Sequence, residues 1–268
     1  MEPFVSIVIL TMKEPVKVIE CLNNQTYQNF ETILAQEKGC VHALNNALNR
    51  AKGDIFVRVD DDVEMPRHWL ENLIRPFDDP VVGGCTGPTF VPKELRGNRD
   101  SIRWAEDPHW FLKWLYDGGT FKPGGIYKCG NVSYDSNYSE RFVENGIWEP
   151  DHLEGTNWAM RTDLIRTVGG FDPKFDGVSE WVDTDVEQKI KKRGYKLRYN
   201  TAAFLWHLLG RGEHYADRFE GIGRIKNWMR YHLRHSKFHP KMVVFLIVWS
   251  LYFISLTFRR RLCPKQSS

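Results

Sequence analysis

The chain has 268 residues, 42% apolar and 26% charged, with a mean hydropathy of -0.46, which excludes a protein threaded repeatedly through a membrane. A net charge of +3 is too balanced to mark a nucleic-acid-binding protein, and none is expected. The length suits one large α/β domain or two small ones.

From Val5 to Leu10 the sequence is a β-branched run too short for a free-standing helix, which reads as a buried parallel strand. A helix is predicted from about Pro15 to Asn24, a second strand from Phe30 to Ala35, and a helix from about Val41 to Ala51. A third strand covers Asp54–Val59. Pro66 is read as opening a helix that runs through Arg75, and a fourth strand begins at Val81. This alternation predicts a mainly parallel sheet with helices on both faces.

Between Phe90 and Glu154 the pattern is irregular but rich in Trp and Tyr, so inserted loops and a short helix are expected rather than a linker. Trp104, Trp110, Trp114 and Tyr138 lie here and read either as a ligand-stacking wall or as core packing. Regularity returns at Gly155, with a helix ending near Val168. Another helix runs from about Val182 to Arg193 and stops at Gly194. No repeat or low-complexity tract occurs.

The five cysteines are widely spaced without a C-x-x-C pair and read as mostly buried thiols in a reducing compartment. Met1–Phe4 passes straight into the first strand without a basic or apolar leader, so the expectation is a cytoplasmic catalytic part. On that reading the sequons at Asn24, Asn131 and Asn137 are chance matches.

In sheets of this kind ligands bind beyond the carboxyl ends of the strands. The third strand runs into Asp60-Asp61-Asp62, whose oxygens suit Mg²⁺ or Mn²⁺ shared with substrate phosphates. The alternatives are a bare charged loop and a phosphatase-type D-x-D-x-[TV] site, the latter disfavoured because Glu64 stands where Thr or Val is required. A second acidic run covers Glu180 to Glu187. There Asp185 and Glu187 read as carboxylates favouring a helix N-terminus.

Five segments in order resemble glycosyltransferase family 2, over about residues 4 to 210. They are Val5–Thr11 with Leu22–Glu31, Ala43-Leu44-Asn45-x-Ala47, Ala51–Asp54 with Asp60-x-Asp62, Gly155–Asn157 with Val168–Asp172, and Val182–Asp185 through Gly194-Tyr195. The resemblance implies the GT-A fold and inverting transfer from a nucleotide-diphosphate sugar. It implies Asp62, Asp60 and His207 on the metal, Asp183 as general base, and Thr11, Glu14, Glu37, Asn45, Asp60 and Asp61 on the nucleotide. Arg211, Arg218 and Arg224 are either diphosphate contacts or exposed basic residues. The sequence departs from the family at Leu10 and Met12, where proline and tyrosine are usual. It also has Gln36-Glu37 for an Asp pair and Val182 for Glu, which keeps a catalytically inactive carbohydrate- or nucleotide-binding module as the alternative.

The expected organisation is a nucleotide-sugar half over residues 1–90, an acceptor and catalytic half over 91–210, a basic helical segment over 211–241, and a hydrophobic helix with a basic tail over 242–268. Met242 to Phe258 carries no charge and would span ~26 Å as a helix, at the short end for crossing a bilayer. It spans a membrane, lies on one, or packs on the domain. A membrane contact would suit a glycan or polyprenyl-lipid-linked acceptor at the cytoplasmic face.

Overall fold

The computed structural model describes residues 2–96, 110–118, 123–133, 146–175, 177, 180–208 and 221–262. Trp104, Asn137, Tyr138, Arg211, Arg218 and Cys263 lie outside the described residues.

The chain runs through β1 (Val5–Leu10), α1 (Val16–Asn23), β2 (Phe30–Ala35), α2 (Cys40–Arg50), β3 (Ile55–Asp60), β4 (Val63–Glu64), α3 (Trp69–Ile74), β5 (Val82–Thr86), β6 (Thr89–Phe90), α4 (Lys93–Arg96) and α5 (Trp110–Leu115). It continues through β7 (Ile147–Trp148), β8 (Asn157–Arg161), α6 (Thr162–Thr167), α7 (Val182–Lys191), β9 (Lys196–Asn200), β10 (Leu205–His207), α8 (Gly221–His235) and α9 (Pro240–Leu262). Seven strands form a sheet in the order β2-β1-β3-β8-β5-β9-β7, and β4, β10 and β6 form a second, small one. In the large sheet β2, β1 and β3 are parallel, as are β5 and β9, whereas β8 and β7 run against their neighbours.

Side chains alternate across a strand, and this sorts β1 and β3 between two cores. Val5, Ile7, Ile9, Ile55, Val57 and Val59 face the layer containing α1 and α3. Val8 and Phe56 face the layer containing α2, α6 and α7. Two-sided burial is why these strands read as continuous apolar runs.

Pro66 does not open α3. Its carbonyl accepts the Trp69 N–H in a turn and the Gln25 amide as well, so the helix begins only at Trp69.

The C-terminal hairpin is built onto the domain. Helix α8 buries Trp228, Tyr231 and His232. The Gly130 carbonyl accepts from Trp228 Nε1 at 3.0 Å and pairs with His232 Nε2 at 2.7 Å. Burial holds His232 down to about 4, so the ring is neutral. Helix α9 runs antiparallel to α8, with Phe245 against Trp228 and Arg224 over the Trp249 ring. Its Lys241 pairs with Asp117 at 2.8 Å.

Asp185 is the electrostatic anchor of α8. Its carboxylate is fully buried and meets His235 Nε2 at 2.8 Å, Arg234 at 3.1 Å and Lys189 at 2.6 Å. This is a docking role, beyond the helix-terminus role expected from sequence. Burial pushes the Asp185 pKa up, but hydrogen bonds from His235 and Lys189 and the Lys189 charge outweigh it and bring it to about 2. Since the folded pKa lies below the ordinary carboxylate value, the stabilisation is present above ~4 and is lost as pH falls toward about 2. Asp185→Ala is expected to cost about 3 kcal/mol at neutral pH, the low end for a broken buried pair because Lys189 and Arg234 can turn to solvent. Urea melts across the acid range check this: the gap between wild type and variant should close below the wild-type transition in pH.

Candidate active site

Register brings the candidate residues to one rim. Leu10 pairs with Ala35 on one side and Asp60 on the other, so the carboxyl ends of β2, β1 and β3 are level. Strand β8 runs the other way, with Asn157 opposite Val59, which places its leading residues Gly155 and Thr156 at the same rim. His207 arrives from β10, paired antiparallel with Val63, while Leu208 N–H donates to the Asp62 carbonyl at 2.7 Å.

The three consecutive aspartates divide their work. Asp61 turns back to β1, meeting Thr11 Oγ1 at 2.7 Å and Lys13 Nζ at 3.9 Å. Asp60 and Asp62 converge with His207, with one ligand atom from each lying within 4.8 Å of the others. His207 Nε2 is 3.1 Å from Asp62 Oδ1, and His207 Nδ1 is buried with no hydrogen-bond partner among the described residues. Two carboxylates and an imidazole with an unpartnered nitrogen fit a divalent cation of the Mn²⁺ or Mg²⁺ type.

Arg58 was missed by the sequence reading. It lies two residues before Asp60 and therefore on the same face of β3, the face covered by α7. Its buried guanidinium donates to Asp183 Oδ2 at 2.5 Å and to Asp60 Oδ1 at 3.2 Å. Burial alone would favour the neutral form, but Asp183 and Asp60 outweigh it and keep Arg58 charged. The available signal was a lone arginine inside an apolar strand, which needs a buried anion.

Asp183 stands in the first turn of α7. The preceding residue but one, Trp181, has a left-handed backbone with φ of 73° and packs on Tyr231 with ring centroids 4.6 Å apart. Such a conformation costs a bulky residue ~1–3 kcal/mol and persists only where packing enforces it. The α8 hairpin thus fixes the entry into α7 and with it the direction of Asp183. Opposite, a Cβ at Gly155 would sit 3.8 Å from Asp183 Oδ2, so the smallest residue stands against the carboxylate. One helical turn along, burial pushes Glu187 well above the ordinary carboxylate range, the Leu153 N–H lowers it, and Asp183 raises it further.

Other expected residues are placed differently. Both ends of the Asn45 amide are taken by the backbone of Phe171, at 2.8 and 3.0 Å, so Asn45 clamps the Gly170 turn instead of facing a nucleotide. Glu37 follows β2 at the rim but is held to α2 by Arg50 at 3.6 Å and Asn46 at 3.4 Å. Glu14 is exposed and makes none of the cluster's contacts among the described residues. Arg224 pairs with Glu180 at 2.9 Å, a structural bridge from α8. Trp110 and Trp114 are exposed on α5, the first edge-on to Phe111 and the second tilted against it, which removes core packing as their explanation.

A sheet of this order with a carboxylate and histidine cluster at its carboxyl rim is the GT-A architecture of glycosyltransferases. The chain superposes with a TM-score of 0.54 and 18% identity on a structure of the mannosyltransferase PcManGT from Pyrobaculum calidifontis in complex with GDP-Man and Mn²⁺, covering 94% of this chain and 70% of that one. With a structure of GalNAc-T7 holding UDP, GalNAc and Mn²⁺ the TM-score is 0.59 at 14% identity, over 86% of this chain and 48% of that one. The chain therefore spans about half the length of GalNAc-T7. No curated protein matches the sequence. Residues 18–130 match the family described as glycosyl transferase family 2, a segment that holds Arg58 and Asp60–Asp62. The chain thus has the GT-A fold and carries a glycosyl transferase family 2 segment over less than half of its length.

Proposed function

We propose that the protein transfers a sugar, with inversion, from a nucleotide-diphosphate sugar to a hydroxyl of a glycan or polyprenyl-lipid-linked acceptor at the cytoplasmic face of a membrane. The observation that carries this reading is the convergence of Asp60, Asp62 and His207 at the strand ends, with Asp183 joined to the same cluster through Arg58.

Asp60, Asp62 and His207 would hold the divalent ion, which when bound neutralises charge developing on the leaving diphosphate. Thr11 and Asp61 hold each other at the end of β1 and shape the floor on which the nucleoside would rest. Asp183 takes the acceptor proton as the hydroxyl attacks the anomeric carbon, and Arg58 keeps that carboxylate aimed. Gly155 leaves the approach to Asp183 open to the acceptor. The GDP-Man in the superposable PcManGT structure supports a donor of this class.

A second reading, a binding module without catalysis, draws on the same ion pair, because Arg58 already occupies one oxygen of Asp183. A single experiment separates the two. The purified chain is screened by thermal unfolding and nucleoside diphosphate release against GDP- and UDP-sugars with Mn²⁺, Mg²⁺ or EDTA. A donor at 100 times its Kd should stabilise the fold by about 2.7 kcal/mol, with nucleotide released when acceptor is added and neither effect in EDTA. Stabilisation without release for any acceptor supports the module; no stabilisation by any donor overturns both readings.

A further inference from the structure

We propose that the α8–α9 hairpin is a monotopic docking surface that lies flat on an anionic lipid bilayer, which deepens the membrane-facing part of the reading above. Among the described residues no helix is long and apolar enough to cross a membrane. The start of α9 is instead committed to the domain, with Met242 and Phe245 buried against Trp228 and Tyr116.

What remains outward is apolar in a regular pattern. On α9, Val243, Ile247 and Leu251 recur every fourth residue and are exposed, a stripe roughly opposite the packed Met242, Phe245 and Trp249. On α8, Ile222, Met229 and Leu233 form the matching exposed stripe away from the buried Trp228 and Tyr231. Ile222, Leu233, Ile247 and Leu251 are each more than half exposed, and Phe238 in the short connection between the helices is 75% exposed. Two adjacent antiparallel helices with unpartnered apolar stripes make an extended patch of the kind that marks an interaction site.

Charge selects the occupant. Residues 221–268 carry ten of the chain's 37 Lys and Arg and no Asp or Glu, leaving 27 basic against 34 acidic residues in the rest. The exposed Lys226 falls within the α8 stripe, between Ile222 and Met229, and the exposed Lys237 follows the end of the helix. A second copy of this chain would set like charge against like, whereas a bilayer with anionic headgroups satisfies both the stripes and the lysines. Amphipathic helices with basic polar faces lie in the interface plane in this way.

The test is co-sedimentation of the full chain with sonicated vesicles of phosphatidylcholine alone and of phosphatidylcholine with phosphatidylglycerol. Comparison is with Leu233→Glu/Ile247→Glu and the milder Leu233→Gln/Ile247→Gln. Both sites are exposed, so thermal midpoints should match wild type, and the Gln pair stands in if the Glu pair fails to fold. The expected result is binding to the anionic vesicles, about tenfold or more weaker on neutral ones and about tenfold or more weaker in the substituted chain. Equal binding by wild type and variants, equal binding to both vesicles, or no binding overturns the proposal. So does a wild-type dimer in sedimentation that the variants dissolve, which would give the stripes to a second copy. Vesicle binding needs neither donor, acceptor nor metal, so its failure is distinguishable from failure of the sugar-transfer reading.

Discussion

Asp183→Asn is expected to yield a folded protein that still binds donor and whose turnover falls by ~10²–10⁴-fold, the usual contribution of a positioned general base. Asparagine keeps the shape and one acceptor oxygen for Arg58 but has no capacity to take a proton at neutral pH. The substitution leaves the Arg58 charge buried beside Asp60 alone, so some loss of stability accompanies it. The measurements are kcat for transfer and the donor-dependent thermal shift on the same preparation. A retained shift with lost turnover assigns proton transfer to Asp183. Wild-type turnover would remove it from the reaction, and loss of the donor shift would make it a binding residue.

The strands β1 and β3 in the first half of the fold were legible because they are buried on both faces. The continuous run at Val5–Leu10 and the equally long, less buried one at Phe30–Ala35 were delimited from sequence with the boundaries found in the structure. Asp60–Asp62 stood out for the same reason, as carboxylates ending an apolar strand. The directions of β8 and β7 were not legible, since nothing local to Asn157–Arg161 specifies which neighbour it pairs with or which way. Two-residue strands such as β4 and β6 carry no periodicity at all, yet β4 is what fixes His207 beside Asp62.

At the site, residue types were more legible than partners. Asn45 was named from a resemblance in which its neighbours matched, but its amide is matched in shape to the backbone of a turn 126 residues away. Asp185 read as a helix-terminus charge because two of its partners, Arg234 and His235, lie far along the chain. Arg58, missed by the sequence reading, is the residue that strand alternation alone could have placed: position 58 shares a face with position 60, and a charge there cannot stay buried without an anion.

Asp62→Ala is expected to abolish the stabilisation by Mn²⁺ and to reduce turnover by ~10²-fold or more, because it removes one of the three donors that converge among the described residues and the electrostatic stabilisation they organise. His207→Ala tests the other half of the cluster. It removes the imidazole but leaves both carboxylates, Asp60 at the end of β3 and Asp62 in the turn before β4, so metal affinity should fall and be recoverable at high Mn²⁺. The contrast is the informative quantity. If the cluster is a metal centre, titrating Mn²⁺ into His207→Ala restores both the thermal shift and turnover, while no concentration rescues Asp62→Ala. If His207 merely pairs with Asp62 as a buried hydrogen-bonded couple, both variants lose stability in the absence of metal and neither responds to it. Wild-type activity of Asp62→Ala in EDTA would take the divalent ion out of the reaction and leave Arg58, the buried cation between Asp60 and Asp183, as the group facing the diphosphate.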